Sequence, residues 1–156
     1  MTTWRERSQI EAAYLNPAVV AAILASASDG YQDETKEPLP WPLSFLVAPL
    51  ILHGPSRRSL PRDTRTHIST WLSRNPILHA GFHERARSLV PVVREGMRFG
   101  LRNGILSISD GVISAPQPVV LTRETSPMLR PARLTGRWFA KTKHPPTLFA
   151  LFGVEP

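Results

Sequence analysis

A chain of 156 residues with a net charge of +7 and no cysteine is long enough to bury a core, and it excludes disulfides and thiolate metal sites. All but three of its 19 basic residues are arginine, whose planar fork pairs with phosphates and carboxylates. That excess suits nucleic acid or an acidic protein as partner.

The N-terminus, "MTTWRERSQIEAAYLN", lacks the apolar region of a signal peptide, and residues 1–14 are expected to be flexible. "NPAVVAAILASASDG" predicts a helix with Asn16 as N-cap, Pro17 at its first position and Gly30 as its stop. An exposed loop over 30–40 follows, within a run, residues 29 to 37, that sums to −3. "LSFLVAPLIL" predicts a short buried helix bent at Pro49. It falls short of the roughly 20 apolar residues of a membrane span, so no membrane partner and a cytoplasmic location are expected. "HGPSRRSLPRD" reads as a linker whose Asp63 caps a helix starting at Thr64, with Ile68, Trp71 and Leu72 turned inward.

Asn75-Pro76 opens the next helix with the same cap chemistry. Over "PILHAGFHERARSLVPVVREGMRFGLRNG", the residues Leu78, Phe82, Ala86, Leu89, Val93, Met97 and Gly100 fall on one helical face. Pro91 leaves open one helix or two, and Asn103-Gly104 ends the segment. The period then changes to two. "ILSISDGVIS" alternates around Asp110-Gly111, a strong hairpin signal. A loop over 116–127 leads into "MLRPARLTGRWFAKTK", a last helix weakened by Pro131 and Gly136. "PTLFALFGVEP" closes the chain as a buried strand or short apolar segment, with Leu148, Phe149, Leu151 and Phe152 expected against the first helices. The whole is a mostly α single domain, 1–156, with a small β-hairpin (α+β). A helix running directly into a tight hairpin gives it winged-helix-like order.

Two arginine sets carry the functional reading. If the helix runs through Pro91, then Arg87, Arg94, Arg98 and Arg102 line up opposite the apolar stripe. In a winged helix that face enters the major groove of double-stranded DNA, whereas the alternatives are protein docking and a plain solvated helix face. Arg57, Arg58, Arg62, Arg65 and Arg74 surround Trp71, and tryptophan with arginine dominates protein-interface hot spots. These six form the expected partner-docking surface, although Trp71 reads equally as core. Residues 57 to 74 sum to +4 and residues 123 to 143 to +5, so two basic blocks and an acidic loop offer two faces to a bridging protein.

No reaction is announced. His79 and His83 stand four apart, but "HAGFHE" is not HExxH and lacks a third ligand. There is no GxSxG, Walker A or GxGxxG motif, and Asp29, Asp33, Glu34 and Glu37 sit where carboxylates are poorly held for acid–base work. No catalytic residue, metal or cofactor is expected, and an enzyme is not.

Six landmarks in order, "YLNPAVVAAIL", "GY", "LPWPLSFLVAPLILH", "SLPRDTRTHISTWLSRNP", "FHERARSLVPVVREGMRFGLRNGILSISDG" and "FALFGVEP", resemble the middle component of bacterial ABC-three-component systems. The likeness runs from about residue 14 to residue 156. It implies a place between an ABC/SMC-type ATPase and a third, variable effector component, in conflict with phages or other invading elements. The implied role is an adaptor that bridges the two or helps the assembly sense nucleic acid. The alternative is a winged-helix DNA-binding protein, a sensor or transcription regulator in its own right.

Overall fold

The structure is a computed structural model and describes residues 15–142 and 144–155. The N-terminal segment expected to be flexible lies outside the described residues. The elements are α1 (Pro17–Thr35), β1 (Leu39–Pro40), a 3-10 turn (Trp41–Leu43), α2 (Ser44–Leu52), α3 (Gly54–Ser59), α4 (Ile68–Arg74), α5 (Pro76–Arg102), β2 (Ser107–Ser109), β3 (Val112–Ser114), α6 (Ser126–Phe139) and α7 (Pro145–Phe152). The fold is mostly α with a small antiparallel sheet, as expected.

Asn16 caps α1 through its side-chain oxygen, which accepts the Ala18 N–H at 2.8 Å. Gly30 does not stop the helix. It is buried where α6 crosses, and an added Cβ would overlap the Arg133 carbonyl oxygen. Gly136 meets the Ala27 carbonyl in the same way from the other side. These glycines serve backbone approach, and tertiary contact carries α1 past Gly30 to Lys36, whose φ of 66° ends it. Asp29, Asp33 and Glu34 therefore stand on a helix. The loop expected over 30–40 is confined to the few residues after Thr35.

α2 is buried almost throughout, with Pro49 inside it. α5 runs unbroken through Pro91, settling the choice between one helix and two. Burial explains this. Phe82, Ala86, Val93, Met97 and Gly100 are buried and Leu78 and Leu89 half-buried, so a continuous amphipathic face outweighs one lost backbone bond.

The hairpin turns on Asp110 and Gly111, whose φ values of 52° and 80° are those of a two-residue primed turn. An unanticipated strand, β1, joins it, giving the order β1-β3-β2. Leu39 and Ile108 both pair with Ile113, so all three lie on one face. Leu39 and Ile113 there are fully buried. Ser28, deep in α1, donates its hydroxyl to the Ile113 carbonyl at 2.6 Å and ties the sheet to the helices.

The closing segment is a helix and not a strand. Two prolines begin α7, and Gly153 at φ 70° ends it. Its most frequent backbone neighbours are α4 and α5, its side chains share one apolar cluster with Ile23 of α1 and Leu46 of α2, and Phe152 packs against Phe82 at 4.8 Å and Phe139 at 5.8 Å. Leu148, Phe149 and Phe152 are buried, and Leu151 is half-buried. Two apolar clusters, one around Trp71 and Trp138 and one around Val20, Val93 and Ile113, share Leu52 and Val119 at their border.

Candidate functional site

The stretch that reads as a linker is pinned to the core at several points. His53 caps α3, its Nδ1 accepting the Ser56 N–H at 3.3 Å. Arg57 turns back and donates to the Ile51 carbonyl at 2.6 Å. The Trp71 indole N–H donates to the Ser59 carbonyl at 2.7 Å, and the Trp138 indole N–H to the Thr66 carbonyl at 2.7 Å. The two indoles meet edge-on at 5.5 Å. Trp71 is only 4% exposed, so its expected place among the docking residues is corrected. It is a core residue that orders the surface from beneath.

The caps differ from expectation for the same reason. α4 begins at Ile68, with His67 Nδ1 accepting the Ser69 N–H at 3.1 Å. Asp63 instead accepts the Arg65 N–H at 2.9 Å and holds its guanidinium at 2.8 Å, which closes a turn over residues 63–66. Those hydrogen bonds keep the Asp63 carboxyl below the usual carboxylate range. Asn75 donates to the Trp71 carbonyl at 2.8 Å. It closes α4 and leaves α5 without a side-chain cap.

Arg58, Arg62, Arg65 and Arg74 are exposed and Arg57 is half-buried. Among the described residues, Arg58, Arg62 and Arg74 have no hydrogen-bond or ion-pair partner. The positive charge lowers the His53 pKa, after burial, through Arg85 and Arg58. A histidine whose pKa folding lowers contributes stability above its unfolded pKa, and that stability is lost as pH falls from there through the lower folded pKa. Acidification from about pH 7 to about pH 5 is thus expected to lower the melting temperature. His53→Asn keeps an acceptor that does not titrate and should flatten that slope. An unchanged slope would clear His53 of responsibility.

The second basic block has a different fate. Arg133 pairs with Asp33, while Arg137 and Lys141 reach Glu34 at 3.2 and 3.1 Å. Hydrogen bonds from Lys141 and Arg137 hold the Glu34 carboxyl below its ordinary value. Exposed pairs of this kind stabilise little, but they bind the acidic run of α1 to α6. The expected arrangement of an acidic loop and two basic blocks, all offered outward, is corrected: the acids neutralise part of the second block within the fold. A cavity of about 720 Å³ opens beside these pairs, lined by Asp29, Asp33, Val119 and Arg133 among others. Burial raises the Asp29 carboxyl there, opposed by Arg133.

Arg87, Arg94, Arg98 and Arg102 are all exposed on α5, in a row about 22 Å long at 1.5 Å per residue, and none has a hydrogen-bond or ion-pair partner among the described residues. The hairpin lies just beyond their end. Arg130 went unremarked in the sequence, yet α6 brings it to the docking segment. With Arg57, Leu60, Pro61, Arg62, Pro131 and Leu134 it lines a groove of about 330 Å³. No local signal joins residues so far apart. His79 is half-buried and His83 exposed, and no group of three or more metal-ligating side chains gathers among the described residues. No helix among them is long and apolar enough to cross a membrane.

Comparison with curated proteins and with solved structures gives no match. The family model described as ABC-three component (ABC-3C) system Middle Component 3 matches residues 4–156, a span that takes in every element above and both arginine surfaces. The chain therefore belongs to the Middle Component 3 family of ABC-three-component systems.

Proposed function

We propose that this chain is a non-enzymatic, cytoplasmic adaptor that bridges an ABC/SMC-type ATPase and a variable effector in a bacterial defence system. The observation that carries the reading is the surface of residues 57–74. Its arginines Arg58, Arg62 and Arg74 stand without partners among the described residues, on a segment that two core tryptophans hold in place. A surface ordered before binding loses less entropy when it binds, and guanidinium groups favour carboxylates on an acidic partner.

A second reading is favoured by α5. Its row of four exposed arginines runs into the hairpin. The strand between the first two helices pairs with β3, as the wing sheet of a winged helix requires. Duplex contact would come from this row, with Asp110 at the hairpin tip opposing it.

One experiment separates the readings. The chain is co-purified with its two neighbouring components, and duplex binding is titrated against salt. Arg58→Glu with Arg62→Glu should weaken one protein contact at least tenfold, about 1.4 kcal/mol, with melting unchanged. Unaltered affinity for both neighbours would refute the docking assignment. Duplex binding by the chain alone, with a log–log salt slope of roughly −3 to −4 that Arg94→Glu and Arg98→Glu reduce, would favour the DNA reading instead.

A further inference from the structure

We infer that the groove between the exit of α3 and the outer face of α6 receives a short acidic segment of a partner protein, anchored by an apolar side chain. This deepens the docking reading and rests on it. The groove is lined by the apolar Leu60, Pro61, Pro131 and Leu134 and by Arg57, Arg62 and Arg130, with no carboxylate among its lining residues. Arg57 is oriented by its bond to the Ile51 carbonyl. Arg62 and Arg130 are exposed and have no hydrogen-bond or ion-pair partner among the described residues.

Both walls are tied into the fold. One is the face of α6, where residues 130, 131 and 134 fall together at helical spacing. The other is the turn at Leu60, fixed by the indole of Trp71 through Ser59. Guanidinium groups take carboxylates in bidentate geometry, and the proline-rich lining offers apolar surface without competing N–H donors. A concavity of about 330 Å³ is sized for a few side chains and not for a duplex. Asp33 and Glu34 of the chain's own acidic run are held by Arg133, Arg137 and Lys141, and no carboxylate of the described residues lines the groove, so a partner's acid is the complement it fits.

The probe is a short fluorescein-labelled peptide alternating glutamate with leucine, followed by fluorescence polarisation on the full chain. Wild type should bind it. Arg62→Glu and Arg130→Glu should each weaken binding at least tenfold without shifting the melting curve, while Arg94→Glu with Arg98→Glu leaves it unchanged. Replacing glutamate by glutamine, or leucine by alanine, in the peptide should each weaken it too. No binding to wild type, or equal loss from the α5 variants, overturns the groove. So does displacement of the peptide by a DNA duplex. Arg130 lies outside the docking segment and keeps the two ideas separable. If Arg130→Glu spares peptide affinity while Arg58→Glu with Arg62→Glu loses the neighbour complex, the groove fails and the docking surface stands. If the peptide is lost through both groove variants while Arg58→Glu with Arg62→Glu leaves the neighbour complex intact, the groove binds acidic peptide but its assignment to a neighbouring component fails with the docking reading.

Discussion

Gly136→Ala is expected to lower stability by about 2 kcal/mol or more, even though alanine is the better helix former by about 1 kcal/mol. The added methyl would overlap the Ala27 carbonyl oxygen, a backbone atom of α1 that cannot swing aside. Inserting a methyl into a filled contact costs about 1–3 kcal/mol, and occasionally more. Rigid backbone on both sides places this site at the upper end. For a chain of this size the melting temperature should fall by roughly 4–8 °C. Gly30→Ala should act alike, because its methyl meets the Arg133 carbonyl. The double variant should cost less than the sum, since both methyls force apart the same pair of helices. Gly54→Ala is the control: its methyl meets only the far end of the exposed Arg58 side chain and should be close to neutral. Denaturant unfolding measures all four. A Gly136→Ala protein as stable as wild type would mean that α1 and α6 do not cross this closely.

Trp71→Ala should cost about 3–5 kcal/mol, the range for emptying a buried aromatic site. Phe is the more informative replacement. It retains an aromatic ring against Trp138 but removes the donor to Ser59, a loss of about 1 kcal/mol. The missing bond should free the chain around residue 59, so trypsin should cut faster after Arg57, Arg58 and Arg62 while the bulk of the fold stays protected. Limited digestion followed by mass spectrometry would show it. A docking hot spot behaves oppositely: Trp71→Ala would then leave melting unchanged and abolish partner binding. That outcome would return Trp71 to the surface and undo the account of how the arginines are held.

Much of the architecture was legible because its signals are local. The Asn16-Pro17 start of α1, the apolar stripe from Phe82 to Met97 and the Asp110-Gly111 turn each depend on residues within a few positions of one another. Family membership was legible too, from landmarks whose order survives without any chemical motif. Where the local signals failed, a distant partner had intervened. Gly30 reads as a stop until Arg133 explains it as a crossing point. Asp63 reads as a cap, yet Arg65 engages it while Trp138 takes the Thr66 carbonyl. β1, with two residues, is too short to have a period, and it exists because β3 supplies its hydrogen bonds.

The candidate site divides along the same line. Sequence alone established that the chain carries excess arginine and in which segments, because composition needs no third dimension; the row on α5 followed from helical spacing only once the helix was found to run through Pro91. Only the tertiary structure decided which charges stay available. It spent Arg133, Arg137 and Lys141 on the acids of α1, moved Trp71 from surface to support, and brought Arg130 beside Arg57 and Arg62. The physical reason is that a salt bridge or a groove is a relation between elements. Its members can be read along the chain, but the pairing is set by how the helices pack.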